Sequence, residues 1–164
     1  MPKKSVRPTD YEIENTVKEY SNTLFKLCFA MLGNNADAED AVSNTLIRYI
    51  TSAPDFKEPE HKKAWLLRVA ANMSKDMLRF RKRREYISLD DASDYCEESE
   101  ELCVFEQLLR LPDKYRAVIH LFYVEGYKTD EIAKMLSVSC AAVRKRLQYG
   151  REKLKLEYEK ECLS

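Results

Sequence analysis

From Tyr11 to Leu32 the apolar residues Ile13, Val17, Tyr20, Leu24, Leu27 and Met31 recur in steps of four, three, four, three and four. Only an α-helix brings residues at that spacing onto one side. Similar stripes recur down the chain, and turn formers are scarce: three glycines and five prolines in 164 residues. A many-stranded sandwich or barrel needs far more of them, while 45% hydrophobic residues are too many for a disordered chain. Gly33, Gly126 and Gly150 lie too far apart to build a glycine-rich phosphate loop. His61 and His120 are the only histidines, which speaks against a histidine-rich metal centre. The expected fold class is all-α, with no cofactor and no metal. The length allows one domain or two small ones.

Gly33-Asn34 ends the first helix, where a left-handed residue is cheap, and Asn35 is placed to cap the second. Asp37, Glu39 and Asp40 fall in or near its first turn, where negative charge suits the helix dipole. Ala38, Val42, Leu46, Tyr49 and Ile50 form its apolar side. Pro54 and Pro59 bracket a loop. A third helix is predicted from about Glu60 to Arg84, with Trp65, Leu66, Val69, Met73, Met77 and Phe80 buried. The methionines read as gap-filling core rather than as a ligand set. Its end carries Lys75, Arg79, Arg81, Lys82, Arg83 and Arg84, six bases in ten positions with Asp76 alone opposing them. Cations at a helix C-terminus are favourable in themselves. Six of them beside aromatics such as Phe56 and Tyr86 fit a surface that follows a phosphate backbone and stacks bases.

Lys plus Arg and Asp plus Glu number 28 each, so the net charge is zero, but the placement is uneven. Residues 1–88 hold 16 bases and 12 acids, and residues 102–164 hold 12 bases and nine acids. Between them LDDASDYCEESEE holds seven acids and no base. Two basic bodies joined by an acidic strip point to a partner of fixed negative charge, a nucleic acid or an anionic surface. The strip repels itself and has few large apolar groups, so it reads as a solvated, flexible linker. No apolar stretch follows the basic MPKKSVRPTD, so no secretory signal is expected. No apolar run reaches the roughly 18–20 residues that cross a bilayer. The expected location is cytoplasmic. Cys28, Cys96, Cys103, Cys140 and Cys162 contain no C-x-x-C pair and read as free thiols, with a Cys96–Cys103 redox pair as the alternative.

In the second body, Glu100 to Leu111 and Asp113 to Val124 are predicted as amphipathic helices divided at Pro112. Their inward residues are Leu102, Phe105, Leu108 and Leu109, then Tyr115, Val118, Ile119 and Phe122, with Gly126 as the break. The most specific local signal is TDEIAKMLSVSCAAVRKRLQ. Thr129 is the expected cap of a short helix with Ile132, Ala133 and Leu136 inward. Ser137-Val138-Ser139 makes a turn with a buried valine, and Ser139 caps a second helix with Val143 and Leu147 inward. The small Ala133 lets the two helices cross closely, which is helix-turn-helix geometry; the plainer alternative is an ordinary helical hairpin. Ser137 stands where glycine is commonest, because that turn favours a positive φ. Arg144, Lys145, Gln148, Tyr149 and Arg151 face outward. Arg and Lys pair with guanine, Gln with adenine, and any cation serves the backbone.

LCFAMLGNNADAEDAVSNTLIRYI and HKKAWLLRVAANMSKDMLRFRKRR resemble region 2 of bacterial extracytoplasmic-function (ECF) RNA polymerase sigma factors, and LLRLPDKYRAVIHLFYVEGYKTDEIAKMLSVSCAAVRKRLQYGREKLK resembles their region 4. The AEDAV and AWLLRVAANM blocks are moderate signals singly and strong ones together ahead of a helix-turn-helix. The resemblance implies region 2 at 1–87, an acidic linker at 88–100 and region 4 at 101–164. It implies an alternative sigma factor that binds core polymerase, at the β′ clamp helices and the β flap, and directs it to promoter DNA. Asp37, Glu39, Asp40, Asn44 and Arg48 would dock on the clamp helices. Phe56, Lys57, His61, Asn72, Lys75, Asp76, Arg79 and Arg83 would capture the −10 element, holding an unstacked base with cations on neighbouring phosphates. Ser139, Arg144, Lys145, Arg146, Gln148, Tyr149 and Arg151 would serve the −35 element. Family members often carry Thr at the site of Ala142 and Arg at that of Tyr149, so these two departures leave the −35 sequence open. An anti-sigma factor is a further partner that the family brings into view.

Three other classes fit the residues less well. A free-standing helix-turn-helix regulator would bind duplex operators without polymerase, but needs neither the acidic turn at Asp37–Asp40 nor the aromatic, basic first body. An enzyme would need a nucleophile–base pair, metal spacing or a phosphate loop, none of which is present. A protein-binding helical adaptor would leave the outward basic face without a purpose.

Overall fold

The computed structural model describes residues 7–83 and 107–162, which fall into two compact units. The acidic segment 88–100, Arg84, Tyr86, Cys96, Leu102, Cys103 and Phe105, on which expectations were placed, lie outside the described residues. Among the described residues every regular element is a helix, and none is long and apolar enough to cross a membrane.

The first unit packs α1 (Asp10–Leu32), α2 (Asn35–Ser52) and α3 (Pro59–Arg83) against one another. Thr9 starts α1 with a capping box: its Oγ1 accepts from the Glu12 N–H at 3.2 Å, and Glu12 Oε2 accepts from the Thr9 N–H at 2.8 Å. Gly33 ends the helix at φ 79°, its N–H donating to the Phe29 carbonyl at 2.8 Å. The cap of α2 is Asn34 rather than the expected Asn35: the Asn34 Oδ1 accepts from the Asp37 N–H at 2.9 Å. Gly33 alone reverses the chain, so the next residue is already free to cap.

Tyr20, Leu24, Leu27 and Met31 are buried as the stripe requires, but Val17 is 38% exposed and neighbouring Thr16 is fully buried. Tyr49 of α2 covers that flank, and the Thr16 hydroxyl donates to its Oη at 3.3 Å. The larger correction concerns α3. Its buried residues are Leu66, Leu67, Ala70, Ala71, Ser74 and Leu78, whereas Trp65, Val69, Met73 and Met77 are half-buried and Phe80 is 56% exposed. Small Ala70, Ala71 and Ser74 fill the contact between the buried leucines, and Trp65, Val69, Met73, Met77 and Phe80 lie toward its edges. Cys28 is buried and free, and burial pushes its thiol up to about 11; Cys140 is also free and half-buried.

In the second unit Pro112 precedes α4 (Asp113–Ile119). The expected α-helix to Val124 instead widens into a π-helix at His120–Val124, with the Glu125 N–H donating to the His120 carbonyl at 3.2 Å. The wider turn shifts the helical phase, so Val118, Ile119, His120 and Leu121 are all buried while Tyr123 and Val124 are exposed. The His120 Nε2 lies 3.9 Å from Glu125 Oε1. Helix α5 (Thr129–Leu136) begins one residue earlier than expected. Lys128 holds the cap position, its N–H donating to Glu131 Oε2 at 3.3 Å, and Thr129 is the first helical residue. Ser139 caps α6 (Cys140–Cys162) as expected, its Oγ accepting from the Ala142 N–H at 3.1 Å. Ile132, Ala133, Leu136, Val143 and Leu147 are buried between the two helices, and Val138 is half-buried. Gly150 lets α6 lie on α4: a Cβ there would come within 2.9 Å of Ile119 Cδ1.

Ser137 adopts φ 56° and ψ 46°, the one positive φ outside glycine among the described residues. Replacing it with glycine removes a left-handed cost of about 1–2 kcal/mol while adding unfolded-chain entropy of about half that. Ser137→Gly is expected to stabilise the second unit by ~0.5–1 kcal/mol, raising its thermal midpoint by a few degrees. An unchanged or lowered midpoint would contradict the strain.

Candidate nucleic-acid interface

Three exposed faces carry the candidate residues. On α2, Glu39, Asp40, Asn44 and Arg48 are exposed. Asp40, Asn44 and Arg48 are spaced at four-residue steps and share a side; Glu39 points to a neighbouring one. Ile47, 57% exposed, sits beside them. The sequence reading passed over it, since an isolated isoleucine on a polar side carries no periodic signal.

Asp37 differs from the other acids of this turn. Its carboxylate accepts from Asn34 Nδ2 at 3.1 Å and from the Arg81 guanidinium, which also donates to the Leu32 carbonyl at 2.9 Å. Three helices meet here, and Arg81, expected in the basic tract of α3, is half-buried and engaged by Asp37. Burial alone would raise the Asp37 carboxyl, but the Asn34 hydrogen bond and Arg81 outweigh it and hold the group below its ordinary value.

On α3, His61, Asn72, Asp76 and Arg79 are exposed and recur at helical spacing on one side, together with Arg68, which the sequence reading did not select. Lys57 is exposed in the preceding loop, and Lys75 is half-buried at the border of the same side. Arg83 belongs to α3 by its backbone. Trp65, expected in the core, lies half-buried on this side and meets Phe56 of the loop edge-on, with ring centroids 5.8 Å apart. The local ion pairs are weak: His61 Nε2 is 3.8 Å from Glu58, and Arg79 is 3.9 Å from Asp76 with both side chains over 70% exposed. Exposed pairs of this kind contribute little, so these cations exchange partners at low cost.

On α6, Arg144, Lys145, Gln148 and Arg151 are exposed, Ser139 is exposed ahead of it, and Arg146 is half-buried. Arg144 Nε donates to the Cys140 carbonyl at 3.4 Å, which lays the side chain along its own helix. The Arg151 guanidinium is 5.8 Å from the rings of both Phe122 and Tyr123. Tyr149, expected among the base-reading side chains, is stacked on Tyr115 with centroids 4.4 Å apart. Lys114 and Tyr115 thereby join the candidate face from outside α6.

Known proteins divide in the same way. Sigma-70 region 2 matches residues 16–84, and Sigma-70, region 4 matches residues 101–154. The chain is 31% identical over 150 aligned positions to the ECF RNA polymerase sigma factor SigL of Mycobacterium tuberculosis, covering 84% of each. The chain is an ECF sigma factor. It is also 29% identical over 177 aligned positions to the ECF RNA polymerase sigma factor SigW of Bacillus subtilis, covering 93% of this chain and 92% of SigW. Two solved structures share the fold. One is the sigma factor RpoE in complex with the anti-sigma factor NepR from Bartonella quintana (TM-score 0.69, 18% identity, 89% of this chain and 96% of the other). The second is CnrH in complex with the cytosolic domain of CnrY (TM-score 0.64, 25% identity, 92% and 90%). Membership in this sigma family carries its general role, RNA-polymerase-associated, promoter-specific transcription initiation.

The Asp37 contacts set a pH dependence. The folded carboxyl is the stronger acid, so its contribution is complete above the unfolded value of about 4 and is lost as pH falls through the lower folded value. Asp37→Asn is expected to cost the first unit less than ~1 kcal/mol near neutral pH, because the pair is more than a third exposed and screened. It should also flatten the stability profile below about pH 4. Identical acid-unfolding curves for the variant and the parent would contradict the assignment.

Proposed function

We propose that the first unit docks on core RNA polymerase and captures the −10 element, while the helix-turn-helix of the second reads the −35 element. On this reading residues 1–87 act as region 2, 88–100 as the linker and 101–164 as region 4. Asp40, Asn44 and Arg48, with Ile47 as an apolar contact, meet the β′ clamp helices, and Glu39 lies at the edge of that contact. Phe56 and Trp65 offer aromatic faces to an unstacked base, and Lys57, His61, Arg68, Lys75 and Arg79 neutralise the phosphates around it. Arg144, Lys145 and Gln148 face base edges in the major groove, and Ser139, Arg146 and Arg151 lie toward the backbone. The second unit also meets the β flap. The protein performs no catalytic step of its own and acts where the polymerase is, in the cytoplasm. An anti-sigma factor belongs among its partners by likeness to the neighbour solved with one.

The observation that carries this reading is the presence, on one three-helix unit, of two different exposed sides: an acidic and apolar side on α2 and a cationic, aromatic side on α3. A free-standing operator-binding regulator has no use for either. Asp40→Lys is expected to weaken holoenzyme assembly at least tenfold while leaving DNA contacts on α3 and α6 in place. Undiminished assembly in a core-polymerase pull-down would sink the docking side. Arg144→Ala with Lys145→Ala should lose ~1–3 kcal/mol of −35 discrimination per base contact and leave core binding intact. Promoter choice that does not change in a transcription assay would refute that placement.

A further inference from the structure

The helix read as facing the −35 element carries a feature that base reading does not need. Tyr149 leans from α6 onto Tyr115 of α4, the two rings inclined by only 29°. Stacked rings resist rotation, since turning either one exposes apolar area to water. Each ring face holds an ammonium group: Lys114 lies 5.1 Å from the Tyr115 centroid and Lys153 lies 5.5 Å from that of Tyr149. The negative ring faces attract these cations and restrict side chains that would otherwise move freely. The open groove beside the stack is lined by Lys114, Lys145 and Arg146, with Glu152 as its acid. A side chain that reads a base edge must aim donors or acceptors in the plane of the base. Tyr149, although 39% exposed, has one ring face held on Tyr115.

We propose that Lys114 and Lys153, held on the Tyr115–Tyr149 stack, clamp backbone phosphates of the DNA bound by α6. Tyr149 is then a positioning residue and not a base reader. The proposal rests on the DNA reading of the second unit and adds to it a contact from outside the recognition helix. Sequence choice falls to Arg144, Lys145 and Gln148, and the position that family members often give to arginine becomes neutral to sequence.

The test is equilibrium binding of holoenzyme, assembled from the full-length chain and bacterial core polymerase. The probes are a random-sequence duplex pool and the sequence recovered from it by selection. Lys114→Ala, an exposed substitution that leaves the core untouched, is expected to weaken binding to both by the same factor. It should lower the slope of log affinity against log salt by about 0.9, the signature of one lost phosphate contact. Tyr149→Leu is expected to weaken both probes equally without changing the recovered sequence. Its effect should be less than additive with Lys114→Ala, because the lysine acts through the stack. An unaltered salt slope for Lys114→Ala would overturn the clamp, and a changed recovered sequence for Tyr149→Leu would make Tyr149 a base reader after all. If Arg144→Ala with Lys145→Ala alters neither affinity nor the recovered sequence, the DNA reading fails and the proposal with it.

Discussion

Among the described residues, small side chains sit at the helix contacts of both units, and they decide which large groups remain outside. Ala38 and Ala41 of α2 and Ala70, Ala71 and Ser74 of α3 are buried in the first unit. Ala133 in the helix-turn-helix and Gly150 on α6 do the same in the second. Small residues between large buried ones such as Leu24, Leu27, Leu66, Leu67, Ile132 and Leu147 fill the space in each core. They also decide what remains outside. Trp65, Phe80 and Ile47 are excluded from the contact and stand at or near the surface beside the charged side chains. The aromatic and apolar groups available for a partner are those the core had no room for.

Packing on small residues also explains which parts of the structure were legible in the sequence. Among the described residues, the three helices of the first unit, the turn at Gly33 and the packing of α5 on α6 were readable, because spacing and capping act locally. Ser137 was singled out as a position wanting a positive φ, and it adopts one. On α3 the expected Leu66 is buried, but the rest of that side was misread because Ala70, Ala71 and Ser74, which carry no strong apolar signal, share it with Leu67 and Leu78. The π-helix at His120–Val124 had no readable signal either, since its wider turn places residues otherwise than an α-helical count assumes. Two caps, Asn34 and Lys128, lie one residue from their expected positions, the usual scale of ambiguity at helix ends.

The candidate surfaces were legible as residue types and less so as contacts. Exposure of Asp40, Asn44, Arg48, Arg144, Lys145 and Gln148 accords with their helical phase. Asp37 and Arg81 looked like members of an acidic turn and a basic tract, yet tertiary structure pairs them across the first unit. Tyr149 is exposed on α6 as its helical phase implies, but its stacking partner Tyr115 is distant in sequence and was not foreseen. Long-range pairs of this kind leave no mark on local patterning. Both restrict a charged or aromatic side chain while leaving it partly exposed.

The central claim, a promoter-directing subunit of RNA polymerase, is tested most directly by run-off transcription on a library of promoter fragments, using purified bacterial core enzyme with and without the protein. Initiation that depends on the protein and selects a two-part motif, one part for each unit, is the predicted result. No stimulation of the core enzyme, together with tight binding to duplex sites from the same library, would contradict it and identify a regulator that acts without polymerase.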